Sequence, residues 1–104
     1  MIYEERNYLF QPANFQTFLK LLEEEGLPIM TRHLGKLVGF FTTEIGELNT
    51  VVHIWAYESF EDRLKRREAM WSDPDWLAYA GKVTPWILRM ESRLLRPTRF
   101  SPLQ

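Results

Sequence analysis

The sequence predicts an α+β domain in which four antiparallel strands form one sheet and helices cover one of its faces. Four separate runs are rich in β-branched and aromatic residues, at 2–10, 36–43, 49–57 and 88–96. Apolar residues at helical spacing fill the segments before the second run and before the fourth. A short loop containing Gly46 joins the two middle runs as a hairpin. The predicted order is therefore β-α-β-β-α-(α)-β, a split βαβ arrangement.

The first strand and the helix after it set the layout of the amino-terminal half. Alternation puts five side chains of the strand on one face, and these are Ile2, Glu4, Arg6, Tyr8 and Phe10. A turn at Pro12-Ala13-Asn14 places Asn14 to cap a helix. Gly26 suits the end of that helix, and Pro28 suits a second short turn through His33. The three acidic residues before Gly26 would be unfavourable at a helix end, so a helix that resumes after Pro28 is favoured, although the sequence leaves both possibilities open.

Two capping signals mark the helices of the carboxyl-terminal half. A capping box that begins at Ser59 predicts a helix to about Trp71. The pair Asp73-Pro74 predicts a new helix start, because proline fits the first helical turn. Residues 88–96 then form the final strand, which a proline ends.

Length, charge and composition limit the classes of protein. A chain of 104 residues and 12.5 kDa predicts one domain, residues 1–104. The net charge of −1 removes any whole-domain attraction to nucleic acid or to an anionic membrane. The absence of Cys excludes thiolate chemistry, and two His are too few for a three-imidazole metal site. No run is long and apolar enough for a membrane helix, so we expect a cytoplasmic protein. The sequence contains no Walker loop or Rossmann fingerprint, and no cofactor is expected.

Both faces of the third strand are apolar or aromatic. One face carries Val51, Trp55 and Tyr57, and the other carries Val52, Ile54 and Ala56. A strand whose outer face meets solvent should instead show polar residues there. We therefore expect a homodimer in which two identical sheets stack.

Three parts of the sequence form a recognisable pattern. They are the opening Ile2-Tyr3-Glu4-x-Arg6-x-Tyr8, the stretch from Gly26 to Phe41, and Val52-His53-Ile54-Trp55-Ala56-Tyr57 followed by Arg63, Arg66-Arg67 and Asp73-Pro74-Asp75-Trp76. Together they resemble the NIPSNAP family over essentially the whole chain, although Glu5 stands where that family usually has an apolar residue. The resemblance implies the dimeric α/β-barrel superfamily, in which two ferredoxin-like subunits stack through their sheets. That superfamily includes cofactor-independent monooxygenases and haem-degrading enzymes, but the NIPSNAP branch implies no established reaction.

A candidate ligand site lies on the first and third strands. His53, Trp55 and Tyr57 alternate and therefore share one face, to which the first strand could add Glu4, Arg6 and Tyr8. Aromatic walls, an imidazole and a guanidinium suit a planar ligand with an anionic group. The alternative is a core of large aromatic side chains whose polar tips are satisfied internally.

Other candidates lie on the helices. Arg32 precedes the second strand, where it could bind a ligand or complement the helix dipole. Trp71 either packs in the core or forms a lid over the pocket. The basic run from Arg63 to Arg67 has acidic neighbours and is predicted to be a solvated helix face. No metal site is expected.

The leading hypothesis is a homodimer with one small-molecule pocket per subunit between sheet and helices. Arg6 would anchor an apolar or aromatic ligand, and Glu4, Tyr8, Arg32, His53, Trp55, Tyr57 and Trp71 would complete the site. Two alternatives stay open. One is an enzyme that oxygenates such a ligand without a cofactor, with His53 as the candidate catalytic base. The other is a protein-interaction module whose aromatic face is core.

Overall fold

The computed structural model describes residues Met1–Gln104, and its four strands form a single antiparallel sheet. The strands are β1 (Ile2–Phe10), β2 (Lys36–Thr42), β3 (Thr50–Tyr57) and β4 (Ile87–Leu95). They lie in the order β2-β3-β1-β4, so the first and third strands are central. The predicted α+β class, a ferredoxin-like β-α-β-β-α-(α)-β arrangement with helices on one face, is confirmed.

The helix after β1 is continuous to His33. It comprises a 3-10 turn at Pro12–Asn14, α1 at Phe15–Leu21, a π-helical turn at Leu22–Gly26 and α2 at Leu27–His33. Gly26 has ordinary helical dihedral angles, so the helix resumes without a break. The predicted cap at Asn14 is wrong, because its side chain makes no capping hydrogen bond. Pro12 begins a 3-10 turn two residues before Asn14, so Asn14 lies within a helical segment and does not precede one.

Gly26, where the π-helical turn meets α2, allows a close contact with the helix that carries Tyr79. A Cβ atom on Gly26 would overlap the ring of Tyr79. Any larger residue would therefore displace the buried Tyr79 ring or the helix that carries it, and this close contact explains the glycine within a helical segment.

The caps of the carboxyl-terminal helices form as the sequence predicts. Helix α3 is Phe60–Trp71, and the Ser59 hydroxyl accepts a hydrogen bond from the backbone N–H of Asp62 at 3.0 Å. Helix α4 is Pro74–Val83, and the Asp73 carboxylate accepts one from the N–H of Asp75 at 2.9 Å. These bonds satisfy N–H groups that the helices leave unpaired at their starts.

The strand register decides which side chains face the helices. Arg6 of β1 pairs with His53 of β3, and His53 pairs in turn with Phe40 of β2. Directly paired residues share a face of an antiparallel sheet, so the even positions of β1 join the odd positions of β3 beneath the helices. The opposite face, called the outer face below, carries half-buried Val52 and Ile54 beside exposed Phe41.

The hydrophobic core lies between the sheet and the helices. It includes Phe10 and Trp55 from the sheet, together with Phe18, Met70 and Tyr79 from the helices. No helix has the length and hydropathy needed to cross a membrane.

Candidate functional site

A cavity of about 300 Å³ lies between the inner face of the sheet and the helices. Fifteen of its nineteen lining residues are hydrophobic, so its walls are largely apolar. Arg6, His53 and Arg67 bring polar groups to it. Trp71 and Met90 also line the cavity while remaining about half exposed, which places its mouth between the end of α3 and β4.

Glu4 anchors a buried ionic network next to the cavity. Its Oε2 atom accepts hydrogen bonds from Arg6 Nη1 at 2.9 Å, Arg63 Nη2 at 2.6 Å and Ser92 Oγ at 2.8 Å. The Arg6 Nε atom donates to the hydroxyl of Tyr8 at 2.6 Å. The row Glu4, Arg6, Tyr8 therefore follows from strand alternation, because every second side chain lies on the same face.

The charges around Glu4 determine its protonation. Burial by itself raises the pKa of Glu4, but the hydrogen bonds from Arg63 and Ser92 and the charge of Arg6 outweigh burial and lower the pKa to about 2. Burial likewise opposes the charge of Arg6, while Tyr8 and Glu4 favour it and raise its pKa overall. Both groups are therefore charged at neutral pH.

His53 is buried with a defined hydrogen-bond pattern. Its Nδ1 atom lies 2.8 Å from Nε1 of Trp55. An indole N–H can only donate, so Nδ1 accepts and the neutral ring carries its proton on Nε2. That Nε2 atom is buried and has no hydrogen-bond partner. Burial, reinforced by the charge of Arg6, lowers the pKa of His53 to about 3, so the imidazole is neutral at pH 7.

Aromatic rings hold the imidazole of His53 in place. Phe40 stacks on it with ring centroids 4.4 Å apart and an interplanar angle of 9°. Tyr8 meets it edge-on at 5.2 Å and 90°. These contacts fix the ring plane and leave little freedom for a rotamer change.

The eight side chains expected at the site occupy different places. Arg6, Tyr8, His53 and Trp71 line the cavity, and Glu4 lies behind Arg6. Trp55 and Tyr57 are buried but do not line the cavity, so they support the site from behind instead of forming its walls. The hydroxyl of Tyr57 is buried without a partner, and burial raises its pKa to about 12.

Arg32 lies away from the cavity. It is about half exposed, and its Nη2 atom lies 2.7 Å from Oδ2 of Asp73, the residue that caps α4. His33 Nε2 lies 2.7 Å from the same oxygen. The basic pair therefore joins the end of α2 to the start of α4, and the expected ligand contact by Arg32 has no support from this position.

The sequence interpretation missed the role of α3. It treated Arg63 and Arg67 as part of a solvated face, and this is wrong for both, because Arg63 bonds to Glu4 and Arg67 lines the cavity. Lys65 and Arg66 are exposed as predicted, and Arg66 Nε pairs with Asp62 Oδ1 at 2.9 Å. The missed signal is helical spacing: Arg63 and Arg67 lie seven and three residues before buried Met70, on the same side of the helix.

The arrangement can bind and orient a ligand through fixed polar groups. It offers guanidinium donors, one imidazole N–H donor and an apolar volume for the body of a small molecule. No three His, Asp or Glu side chains converge closely enough to hold a metal ion.

Comparison with known proteins identifies the family of this chain. The NIPSNAP family model matches residues 3–102. The chain is 38% identical over 104 residues to the protein NipSnap of Drosophila melanogaster, covering 99% of this chain and 37% of that protein. It covers 19% of a putative NipSnap protein of Caenorhabditis elegans, at 34% identity. The chain thus spans well under half the length of these curated relatives.

Solved structures agree with the sequence relatives. A NIPSNAP family protein from Agrobacterium tumefaciens superposes with a TM-score of 0.96 at 43% identity, covering 99% of this chain and 98% of that one. A putative antibiotic biosynthesis monooxygenase from Nitrosomonas europaea superposes with a TM-score of 0.70 at 10% identity, over 93% of this chain and 98% of the other, which is a likeness of fold alone. With its family model, its relatives and its fold in agreement, the chain belongs to the NIPSNAP family.

Proposed function

We propose that this NIPSNAP chain binds a small, largely apolar ligand in the cavity between sheet and helices, and that it does so as a homodimer. The observation that carries the proposal is the combination of an apolar cavity of about 300 Å³ with buried polar groups at its wall. Arg6 and His53 are each less than one tenth exposed, and a purely structural core seldom contains such groups. The volume lies at the lower end of the usual range for ligand pockets and suits a small molecule.

The His53 imidazole supports a binding role better than the role of a catalytic base. A base needs an unprotonated nitrogen facing the substrate, whereas Nδ1 already accepts from Trp55 and Nε2 carries the proton. The low pKa of His53, about 3, further weakens it as a proton acceptor. We therefore assign it as a hydrogen-bond donor to a carbonyl or anionic oxygen of the ligand.

A dye that needs only an apolar cavity tests the binding proposal. N-phenyl-1-naphthylamine is neutral and fluoresces when it leaves water, and we expect it to bind the wild-type protein. Ala80→Phe should abolish this fluorescence, because Ala80 is buried and lines the cavity. The matched control is Ala69→Phe, at an exposed position of α3 that should leave binding unchanged. Equal fluorescence with both variants would place the dye outside the cavity and contradict the proposal.

The natural ligand can be sought once the cavity variant is available. Small molecules extracted from purified wild-type protein and from Ala80→Phe would be compared by mass spectrometry. A compound that accompanies the wild type and the Ala69→Phe control, but not Ala80→Phe, is the expected result.

The outer face of the sheet supports the homodimer. Half-buried Val52 and Ile54 and exposed Phe41 form a patch that an identical sheet could cover. Sedimentation equilibrium should give about 25 kDa for the wild type, twice the chain mass of 12.5 kDa. Phe41→Asp should shift the mass to that of the monomer, while Ile45→Asp, in an exposed loop, should not. A monomeric wild type at micromolar concentration would refute this part.

A further inference from the structure

We propose that the ligand of this cavity is an organic acid, and that Arg67 binds its carboxylate together with Arg6. This inference rests on the proposed binding function and narrows it, because the cavity alone leaves a neutral carbonyl compound equally acceptable. Arg67 would then select for acids over neutral ligands, although its place in a run of charged helical residues suggests only a solvated side chain.

Arg67 has no partner within the protein. This side chain is only partly exposed, lines the cavity, and makes no hydrogen bond or ion pair with any protein group. The other arginines of α3 do have partners: Arg63 bonds to Glu4, and Arg66 bonds to Asp62. A guanidinium with five donors and no protein acceptor can bind an anion without first breaking a bond to the protein.

Positive charge exceeds negative charge around the cavity. Arg6 and Arg67 line the cavity, and no Asp or Glu does. The one nearby carboxylate, that of Glu4, is paired with both Arg6 and Arg63. His53 is neutral, so the cluster carries an excess of two positive charges. The pKa of Arg67 is lowered, first by burial and then by the charge of Arg6, and the opposing charge of Glu4 does not cancel these effects.

Arg67 still lacks a hydrogen-bond acceptor. Glu4 does not supply it: its Oε2 atom takes donors from Arg6, Arg63 and Ser92, and its buried Oε1 atom receives no hydrogen bond from Arg67. A ligand carboxylate offers two oxygens that match the planar fork of a guanidinium. With mostly apolar residues around the rest of the cavity, the ligand is an acid with an apolar or aromatic body.

A pair of compounds that differ only in charge tests this inference. 2-Naphthoate and 2-naphthamide have almost the same shape, and their binding to the whole protein would be measured by isothermal titration calorimetry. We expect the wild type to bind the acid about tenfold or more tightly than the amide, as a charged hydrogen bond implies. Arg67→Met should weaken binding of the acid by a similar factor and change binding of the amide less than about twofold. Lys65→Met, at an exposed position of the same helix, is the matched control and should behave as the wild type.

The melting temperature of the ligand-free protein gives an independent readout. Arg67→Met should melt at the same temperature as the wild type or higher, because it removes an uncompensated charge. A melting temperature several degrees lower would show that Arg67 is structural and would overturn the inference. Equal affinity for acid and amide in the wild type would overturn the preference for an acid while leaving the binding function intact. Failure of the wild type to bind either compound, together with failure to bind the neutral dye, would overturn the binding function itself.

Discussion

Replacing His53 with glutamine should remove most of the pH dependence of folding stability between pH 7 and pH 5. In the unfolded chain this imidazole has an ordinary pKa near 6.5, whereas burial and the charge of Arg6 lower it to about 3 in the fold. Over this interval the unfolded chain binds a proton at His53 and the folded protein does not. The free energy of unfolding therefore falls as the pH falls, and the stabilising contribution is fully present only above the unfolded pKa.

The magnitude follows from the two pKa values. One proton taken up only by the unfolded state changes stability by at most about 1.4 kcal/mol per pH unit. Integrated from pH 7 to pH 5, the loss is about 2 kcal/mol. Glu4 acts in the same direction, but its pKa changes from 4.5 to about 2, so its contribution lies almost wholly below pH 5.

Urea denaturation at fixed protein concentration, repeated at half-unit steps of pH, measures this loss. The wild type should lose about 2 kcal/mol between pH 7 and pH 5, and His53→Gln should lose much less over the same interval. The control is His33→Gln, because His33 is the other histidine and is paired with Asp73 outside the cavity. An equal loss in wild type and His53→Gln would mean that His53 titrates alike in the folded and unfolded states, which would refute its burial as a neutral ring.

Two further predictions concern stability at pH 7. Glu4→Gln should destabilise the fold by about 3–5 kcal/mol in urea denaturation, because it leaves buried guanidinium groups uncompensated. Glu24→Gln, at an exposed position, should stay within about 0.5 kcal/mol of the wild type. Equal effects of the two substitutions would argue that the Glu4 carboxylate is not buried. Gly26→Ala should lower the free energy of unfolding by about 1–3 kcal/mol, because the added Cβ overlaps the Tyr79 ring. Gly81→Ala has open space around its Cβ and should be neutral or stabilising. A stabilising Gly26→Ala would show that Tyr79 packs less closely on Gly26.

The strands, and the side chains that share a face within each strand of the site, were predictable from the sequence. Two-residue periodicity is strict in a strand, so the alternation of Glu4, Arg6 and Tyr8 fixed a common face before any three-dimensional information. The same rule placed His53 with Trp55. The pairing between strands could not be predicted from the sequence. Only the structure shows that His53 pairs with Arg6 on one side and with Phe40 on the other.

The helices were harder to interpret because charge obscures their inward side. In α3 the cavity side carries Arg63 and Arg67, so apolar periodicity does not mark it, and the acidic neighbours suggest solvent instead. The sequence also left open whether the helix continues through Gly26, because Gly and Pro usually end a helix. In the structure Gly26 takes ordinary helical dihedral angles, and its missing Cβ leaves room for the Tyr79 ring.

The row of Glu4, Arg6 and Tyr8 also restricts how this sequence can diverge. Each member holds the next through a hydrogen bond, from Arg6 to Glu4 and from Arg6 to Tyr8. A single substitution leaves a buried donor or charge without its partner, so a substitution at one position is tolerated only with compensation at another. The three positions should therefore be inherited or exchanged together. In a distant relative with few other identities, the spacing Glu-x-Arg-x-Tyr in the first strand would be a compact marker of the same buried network.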